Sequence, residues 1–149
     1  MNQPSLRSAT RQDFGFCQRL YAEGTGKLTA EPHLSRVQQN ERFAQQWASA
    51  EVRVIMVAGH HVGWLQTAPT DDALDLGQLY VDRRFQRQGI GQGVLRLLIK
   101  EAMHDNKGMT VAVAKNNPAR WLYERHGFHV IYTDRSNFYM RRALVRAPV

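Results

Sequence analysis

The sequence predicts a mixed α/β domain of about six or seven strands and about four helices. Three observations carry this prediction. Several short segments alternate apolar and polar residues, which is typical of half-buried strands. Other segments repeat apolar residues at helical spacing, as Ile90, Val94 and Leu98 do. A strand, a crossover helix and a further strand follow one another after Leu79, which predicts a parallel pair or a splayed relative of one.

The first third of the chain predicts one strand and two helices. Ser5–Ala9 is the first strand. Thr10 is followed three residues later by Asp13, a variant of the capping box that begins a helix. This helix ends where Gly24–His33 begins, a stretch with few apolar residues that predicts a loop. A second helix is predicted over about Leu34–Ala50.

The next segment predicts a β-hairpin. Val52–Ala58 and Val62–Leu65 are apolar runs, and Gly59–His61 between them has the composition of a tight turn. Two adjacent histidines lie in that turn. A metal site needs more ligands that converge, so we expect them to be turn residues and expect no metal site.

The apolar pattern of the following strand changes phase. Leu74 and Leu76 share one face, whereas Leu79 and Val81 have the opposite parity. A shift of one residue exchanges the two faces of a strand, and a β-bulge at Gly77–Gln78 would restore a single buried face. A bulge also leaves backbone groups unpaired, so an extended ligand with amides could bind along this edge.

A short basic turn with two glycines joins this strand to a long helix. In Gln86–Gly91, the backbone N–H groups of a helix N-terminus point outward, and Arg83, Arg84 and Arg87 add positive charge. These features predict a diphosphate-binding loop, which we call the cradle; an ordinary strand-to-helix turn is the alternative. The spacing fits neither a P-loop nor a Rossmann fingerprint.

The rest of the chain predicts two helices and three strands. Either Asn116 or Asn117 caps the second of these helices, with Pro118 in its first turn. The predicted elements are a helix from about Gly89 to Asn106, a strand over Met109–Val113, a helix over Pro118–His126, and strands over Phe128–Tyr132 and Phe138–Met140.

Composition is that of a globular protein with one domain over residues 1–149. Hydrophobic residues make up 43% of the chain and charged residues 22%. The single cysteine, Cys17, cannot form an internal disulfide, which suits a reducing compartment. Met1–Thr10 has no apolar run of the kind found in leader peptides, and no window approaches the ~18 apolar residues of a membrane span, so we expect a cytoplasmic protein that does not bind membranes.

The chain is basic, with 20 Lys and Arg against 13 Asp and Glu and a net charge of +7. A polyanionic small molecule at the cradle would account for the arginines near it. Nucleic-acid binding ranks last among the alternatives, because the aromatic residues are spaced for a core and the basic residues form no block.

A second motif lies near the C-terminus. In Asn116–Phe128, the residues Ala119, Leu122 and Tyr123 share one helix face. Together the two motifs resemble the GNAT superfamily of N-acetyltransferases. The cradle matches that family's Gln/Arg-x-x-Gly-x-Gly pyrophosphate loop, and Asn, Ala, Tyr and Gly-Phe recur in its second motif at this spacing.

The resemblance implies a GNAT-like fold, with a twisted, mostly antiparallel sheet whose bulged central strand is splayed from its neighbour. It implies acetyl-CoA as co-substrate and transfer of its acetyl group to an amine of a small molecule or a peptide. A non-catalytic acyl-CoA-binding module is the alternative. Similar proteins are often dimers, so a homodimer is an open expectation.

The resemblance also assigns roles to residues. Tyr123 would protonate the departing thiolate. Many family members place a carboxylate base on the bulged strand, but this chain has Gln78 near the bulge, so Asp75 is the nearest candidate base. A water relay to bulk solvent, or an amine that arrives already neutral, would remove the need for a base, so the base stays unassigned from the sequence. The acceptor would lie between the Gly24–His33 loop, the second helix and the hairpin. The residues implied to contact the cofactor are Leu79, Tyr80, Val81, Gln86, Arg87, Gln88, Gly89, Ile90, Gly91, Gln92, Asn116, Ala119 and Tyr123.

Overall fold

The computed structural model describes residues 3–24, 28 and 34–144, and most of the predicted Gly24–His33 loop lies outside them. The described part contains seven strands and four α-helices. In chain order they are β1 (Ser5–Ser8), α1 (Phe14–Glu23), α2 (Arg36–Ser49), β2 (Glu51–Val57), β3 (His60–Pro69), β4 (Ala73–Val81), α3 (Ile90–His104), β5 (Gly108–Ala114), α4 (Ala119–Arg125), β6 (His129–Thr133) and β7 (Asn137–Arg142).

The strands form one sheet in the order β1-β2-β3-β4-β5-β7-β6. The pair β4–β5 is parallel, because α3 crosses over between these two strands. The other neighbouring strands are antiparallel. The predicted fold class, a mixed and mostly antiparallel sheet with four helices, is confirmed.

The predicted bulge in β4 is confirmed. Gln66 of β3 pairs with Gln78, but the next residue of β3, Thr67, pairs with Leu76, so Gly77 is the extra residue. The bulge restores one apolar face. Leu76 and Leu79 therefore both enter the core beneath α3, although their parity differs.

The parallel ladder between β4 and β5 is short. It runs from the pair Ala73–Gly108 to the pair Leu76–Val111 and stops at the bulge. Beyond it β4 pairs with β3, and β5 pairs with β7. The two central strands therefore separate, which confirms the predicted splay.

Two apolar clusters cover the two faces of the sheet. One contains Val94 and Leu98 of α3 together with Tyr123 of α4. The other joins α1 and α2 to the sheet and is rich in aromatic rings, including that of Phe43. It also contains Trp64 and Tyr80, whose rings are stacked with their centroids 4.9 Å apart. The aromatic residues of this part therefore serve a core, as predicted.

Cys17 belongs to the aromatic cluster and is fully buried. Burial raises the pKa of its thiol to about 12, because the charged thiolate loses its hydration. The side chain acts as a small apolar core residue.

The position of the hairpin turn was predicted incorrectly. The turn consists of Ala58 and Gly59, whose φ angles are 50° and 82°. Two consecutive residues with positive φ match the right-handed twist of a hairpin, so no third turn residue is needed. His60 and His61 are consequently the first residues of β3 and not turn residues.

No helix in the described residues has both the length and the apolar character needed to cross a membrane. The longest apolar stripe, on α3, faces the sheet.

The start of α1 is fixed to β1 by a charged pair. As predicted, the Asp13 carboxylate accepts a hydrogen bond from the backbone N–H of Thr10, at 2.8 Å. It also accepts two bonds from the Arg7 guanidinium, both at 2.8 Å. These bonds hold the pKa of Asp13 at about 2, below its ordinary value, although burial opposes the shift.

Replacing Asp13 with asparagine is expected to lower the free energy of unfolding by roughly 1 to 2 kcal/mol at neutral pH, because Arg7 loses a bidentate charged partner. A folded-state pKa below the unfolded value gives stability that is present above about pH 4 and is lost as the pH falls toward 2. Urea unfolding across this range measures the effect.

The matched control is Asp72→Asn, which removes the exposed Asp72–Arg141 pair and should change stability by less than about 0.5 kcal/mol. If Asp13→Asn were as stable as the unaltered chain at neutral pH, the proposed contribution of this pair would be wrong.

Candidate active site

A cavity of about 470 Å³ lies where β4 and β5 separate. It extends along the β4 edge to the N-terminus of α3 and is closed on its far side by α4. Its lining residues are Leu28, Leu79, Val81, Phe85, Gln86, Arg87, Gly89, Ile90, Gly91, Asn117, Pro118, Ala119, Leu122 and Tyr123.

One wall of the cavity is an unpaired strand edge. The backbone N–H of Asp82 donates to the carbonyl of Val62, at 2.8 Å. Hydrogen-bonded pairs alternate along an antiparallel ladder, so the backbone groups of Leu79 and Val81 point away from β3. They face the gap, where the described ladder with β5 has already ended. The Val81 carbonyl accepts one bond, from the side-chain amide of Gln86 at 2.9 Å.

The cradle supplies a second set of unpaired backbone groups. The first bond of α3 runs from the N–H of Gly93 to the carbonyl of Gly89, at 3.0 Å. Among the described residues, no backbone acceptor is found for the N–H groups from Arg87 to Gln92. Both Arg87 and Gly89 have positive φ, at 63° and 79°, which turns the chain so that successive N–H groups converge.

The opposite wall is the N-terminal part of α4. Asn117 caps this helix, because its side-chain oxygen accepts a bond from the N–H of Ala119, at 2.9 Å. Of the two cap candidates in the sequence, the structure thus selects Asn117. Ala119 is small and lines the cavity, so the gap between α3 and α4 stays open there.

Tyr123 lines the cavity and carries a buried polar atom. The side chain is fully buried, and its ring packs edge-on against Phe128 with centroids 5.4 Å apart. Its hydroxyl has no hydrogen-bond partner among the described residues. Burial raises the pKa of Tyr123 above its ordinary value, so the hydroxyl remains a proton donor at neutral pH. A buried hydroxyl without a partner is costly, and a ligand in the cavity would satisfy it.

The structure brings together most of the residues implied to contact a cofactor. Those that line the cavity are Leu79, Val81, Gln86, Arg87, Gly89, Ile90, Gly91, Ala119 and Tyr123. The side chain of Tyr80 lies on the other face of the sheet, against Trp64. Gln88, Gln92 and Asn116 do not line the cavity with their side chains, and Asn116 is exposed.

Five lining residues had not been assigned from the sequence: Leu28, Phe85, Asn117, Pro118 and Leu122. Leu122 shares a helix face with Ala119 and Tyr123, and this spacing could have identified it. Leu28 reaches the cavity because its carbonyl accepts a bond from the N–H of Ala114, at the end of β5. No local pattern indicates such a contact between distant segments.

The candidate base Asp75 lies beside the bulge but does not line the cavity. Since Leu74 and Leu76 face α3, Asp75 faces the α1 and α2 side of the sheet. One carboxylate oxygen accepts a bond from the Thr110 hydroxyl, at 2.7 Å. The other lies 3.9 Å from the point where a Cβ on Gly77 would be. The carboxylate is therefore held by β5 and leans toward the bulge.

Gln78 is buried and has a structural partner. Its side-chain oxygen accepts a bond from the Tyr80 hydroxyl, at 2.7 Å. A neutral amide held in this way cannot take up a proton.

These features form a site that fits an extended molecule carrying both amides and a diphosphate. The strand edge offers donors and acceptors in a row, and the cradle offers converging N–H groups at the positive end of a helix. Tyr123, whose buried hydroxyl has no partner among the described residues, lines the same cavity.

Comparison with known proteins identifies the family. The family model of the acetyltransferase (GNAT) domain matches residues 48–130, which is more than half of the chain. The chain therefore belongs to the GNAT acetyltransferase family, and the resemblance of its two motifs is confirmed. No curated protein sequence matches it.

Several solved structures share the fold at low sequence identity. A GCN5-related N-acetyltransferase from Kribbella flavida has a TM-score of 0.75 and 19% identity over 95% of this chain and 98% of its own. The ribosomal-protein-S18-alanine N-acetyltransferase of Escherichia coli has a TM-score of 0.71 and 20% identity, covering 97% and 96%. Spermidine N-acetyltransferase from Vibrio cholerae, solved with CoA and spermine, has a TM-score of 0.71 and 20% identity, covering 95% and 96%.

Replacing Gly91 with leucine is expected to weaken acetyl-CoA binding at least about tenfold without destabilising the fold. A Cβ on Gly91 would point across the gap toward Leu122, whose Cδ2 would lie 3.9 Å away, so a longer side chain fills the cavity. Leucine also favours a helix over glycine by about 0.8 kcal/mol. Calorimetric titration and thermal unfolding measure the two effects separately.

Gly15→Leu on α1 is the matched control. A Cβ there meets nothing within 4 Å, and Gly15 lies outside the cavity, so cofactor affinity should be unchanged. Equal affinity for Gly91→Leu and the unaltered chain would show that the cofactor does not pass between α3 and α4.

Proposed function

We propose that this protein is an acetyl-CoA-dependent N-acetyltransferase. It moves an acetyl group to a primary amine of a small molecule or peptide by direct transfer in a ternary complex. The observation that carries the proposal is the buried Tyr123 hydroxyl, which has no hydrogen-bond partner among the described residues and belongs to a residue lining the same cavity as the cradle. The family membership of the chain supports the same activity.

The residues of the cavity fit the parts of acetyl-CoA in order. The pantetheine amides would pair with the backbone of Leu79 and Val81, which faces the gap. The diphosphate would accept bonds from the N–H groups of Arg87 to Gln92. The exposed guanidiniums of Arg83, Arg84 and Arg87 add positive charge on this side of the protein.

Binding along a strand edge and a helix end holds the thioester in one orientation. Bound acetyl-CoA supplies an activated acetyl group, and the reaction exchanges its C–S bond for a C–N bond to the acceptor. Fixing the two reactants in this way accounts for a large share of the rate enhancement, up to about 7 to 11 kcal/mol in favourable cases.

Tyr123 acts as the general acid in this proposal. Its hydroxyl is protonated at neutral pH and has no competing partner in the described residues, so it can donate to the sulfur that leaves. A tyrosine whose hydroxyl were already bonded to the protein would suit this role less well.

Asp75 acts as the base that receives the proton of the attacking amine, directly or through water. Its position beside the bulge and on the face opposite α3 supports this role, as does the bond from Thr110, which fixes one oxygen and leaves the other toward the bulge. The acceptor then approaches from the α1 and α2 side, while the cofactor lies toward α3 and α4.

The class of acceptor is an amine. Among the similar structures, one acts on an alanine of a ribosomal protein and another on spermidine, so the shared fold accommodates both peptide and small-molecule amines.

A homodimer stays a prediction. β6 is an edge strand, and its exposed residues Val130, Ile131 and Tyr132 leave apolar surface for a partner.

A non-catalytic acyl-CoA-binding module would share the cradle and the strand edge. It would not require a protonated hydroxyl at the inner end of the cavity or a carboxylate held beside the bulge. Release of free CoA on mixing the protein with acetyl-CoA and a panel of amines distinguishes the two. Binding of acetyl-CoA with no release on any amine would favour the binding module.

Tyr123→Phe is expected to lower kcat by about 10²- to 10⁴-fold, the usual effect of removing a general acid. Affinity for acetyl-CoA should change little, because the ring and its packing against Phe128 remain. Steady-state kinetics and calorimetry measure both quantities. An unchanged kcat would remove Tyr123 from the chemistry.

Asp75→Asn is expected to lower kcat/KM by about 10²-fold or more, because an amide cannot accept a proton. Asp71→Asn, which changes an exposed carboxylate in the preceding turn, is the control and should keep the kcat/KM of the unaltered chain. If Asp75→Asn retained full kcat/KM, the amine would lose its proton by another route.

A further inference from the structure

A buried carboxylate lies next to the cradle but outside the cavity. The Asp82 side chain is only 4% exposed, and it follows directly on β4. One oxygen accepts bonds from the guanidiniums of Arg19, at 3.0 Å, and Arg84, at 3.3 Å. The other accepts a bond from the backbone N–H of Arg84, at 3.2 Å.

The same residue fixes the backbone that leads into the cradle. Asp82 caps the short 3₁₀ turn Arg83–Phe85, and its carbonyl accepts a bond from the N–H of Phe85, at 2.8 Å. Its own N–H is bonded to the carbonyl of Val62 on β3. The turn ends at Gln86, the first residue of the cradle, so Asp82 determines where the cradle begins.

Arg19 extends this network to α1. Its guanidinium bonds both Asp82 and Glu23, the latter at 3.1 Å, and lies 5.6 Å from the centre of the Phe16 ring. None of the described residues of α1 lines the cavity. The contact between Arg19 and Asp82 therefore links α1 to the residue that leads into the cradle.

The charge of Asp82 is opposite to what a direct ligand of a diphosphate needs. Burial by itself raises the pKa of Asp82, but the bonds from Arg19 and Arg84 bring it below the ordinary value, so the carboxylate is ionised. A negative charge beside a polyanion repels it. Any benefit to binding has to come from geometry, through the capped turn and the orientation of Arg84 over the Phe85 ring, 5.5 Å from its centre.

We propose that Asp82 is a positioning residue for diphosphate recognition, and that Arg19 on α1 completes its function by holding the carboxylate in place. The proposal rests on the proposed function, since it assumes that the cradle binds the diphosphate of CoA. It predicts a selective effect: loss of the Asp82 charge weakens binding of ligands that contain the diphosphate and spares ligands that lack it.

The test compares two ligands by calorimetry and by NMR titration. CoA contains the diphosphate, whereas pantetheine ends before it and reaches only the strand edge and the inner cavity. Asp82→Asn keeps the size of the side chain and an oxygen that can cap the turn, but removes the charge. We expect it to weaken CoA binding about tenfold, the size typical of a network that supports a site, and to leave pantetheine binding within a factor of about two.

A second variant keeps the positioning role testable if Asp82→Asn fails to fold. Arg19→Met keeps the apolar stem beside Phe16 and removes the guanidinium, and it should weaken CoA binding by about threefold to tenfold. The double variant should bind CoA no more weakly than Asp82→Asn alone, because both changes break one network. Asp72→Asn, which removes the exposed pair with Arg141, is the matched control and should leave the affinities for CoA and pantetheine unchanged.

The outcomes separate the two proposals. If the unaltered chain does not bind CoA, the proposed function is wrong. If it binds CoA and Asp82→Asn binds CoA equally well, or loses both ligands to the same extent, the positioning role is wrong and the proposed function stands.

Discussion

The structure depends on one extra residue in its central strand. Gly77 breaks the register between β3 and β4, and two consequences follow from it. The apolar residues on either side of the bulge share one core, which satisfies the hydrophobic pattern of the strand. The ladder to β5 ends at the same place, so the sheet opens between its two central strands. A sheet without the bulge would close this gap and bury Gln78 and Tyr80 where Leu79 now lies.

The opening brings together groups that are far apart in the sequence. The strand edge of β4, the N-terminus of α3 and Tyr123 of α4 each contribute backbone or side-chain polar groups to this region, and each belongs to a different element. Their proposed roles are distinct: the edge would align a chain of amides, the helix end would neutralise charge, and Tyr123 would donate a proton. The division of the protein into two cores, one on each face, separates the cofactor side from the side on which Asp75 lies.

Local patterns in the sequence predicted the elements and most of the cavity. The bulge was predictable because Leu74 and Leu79 differ in parity, and the cradle because glycines precede an amphipathic helix. Contacts between distant segments left no such pattern. Arg19 and Asp82 are 63 positions apart, and the bond between Leu28 and Ala114 likewise joins separate parts of the chain. The hairpin turn was misplaced because Ala58 adopts a positive φ, which its side chain does not indicate.

The most direct measurement of the central claim is the response of backbone amides in a ¹⁵N-labelled sample titrated with CoA. The largest chemical-shift changes are expected along the cavity, at the amides of Leu79 and Val81 and from Arg87 to Gln92, while β1 and β2 are unaffected. Saturable changes that avoid the strand edge and the cradle, or no changes at millimolar CoA, would contradict it.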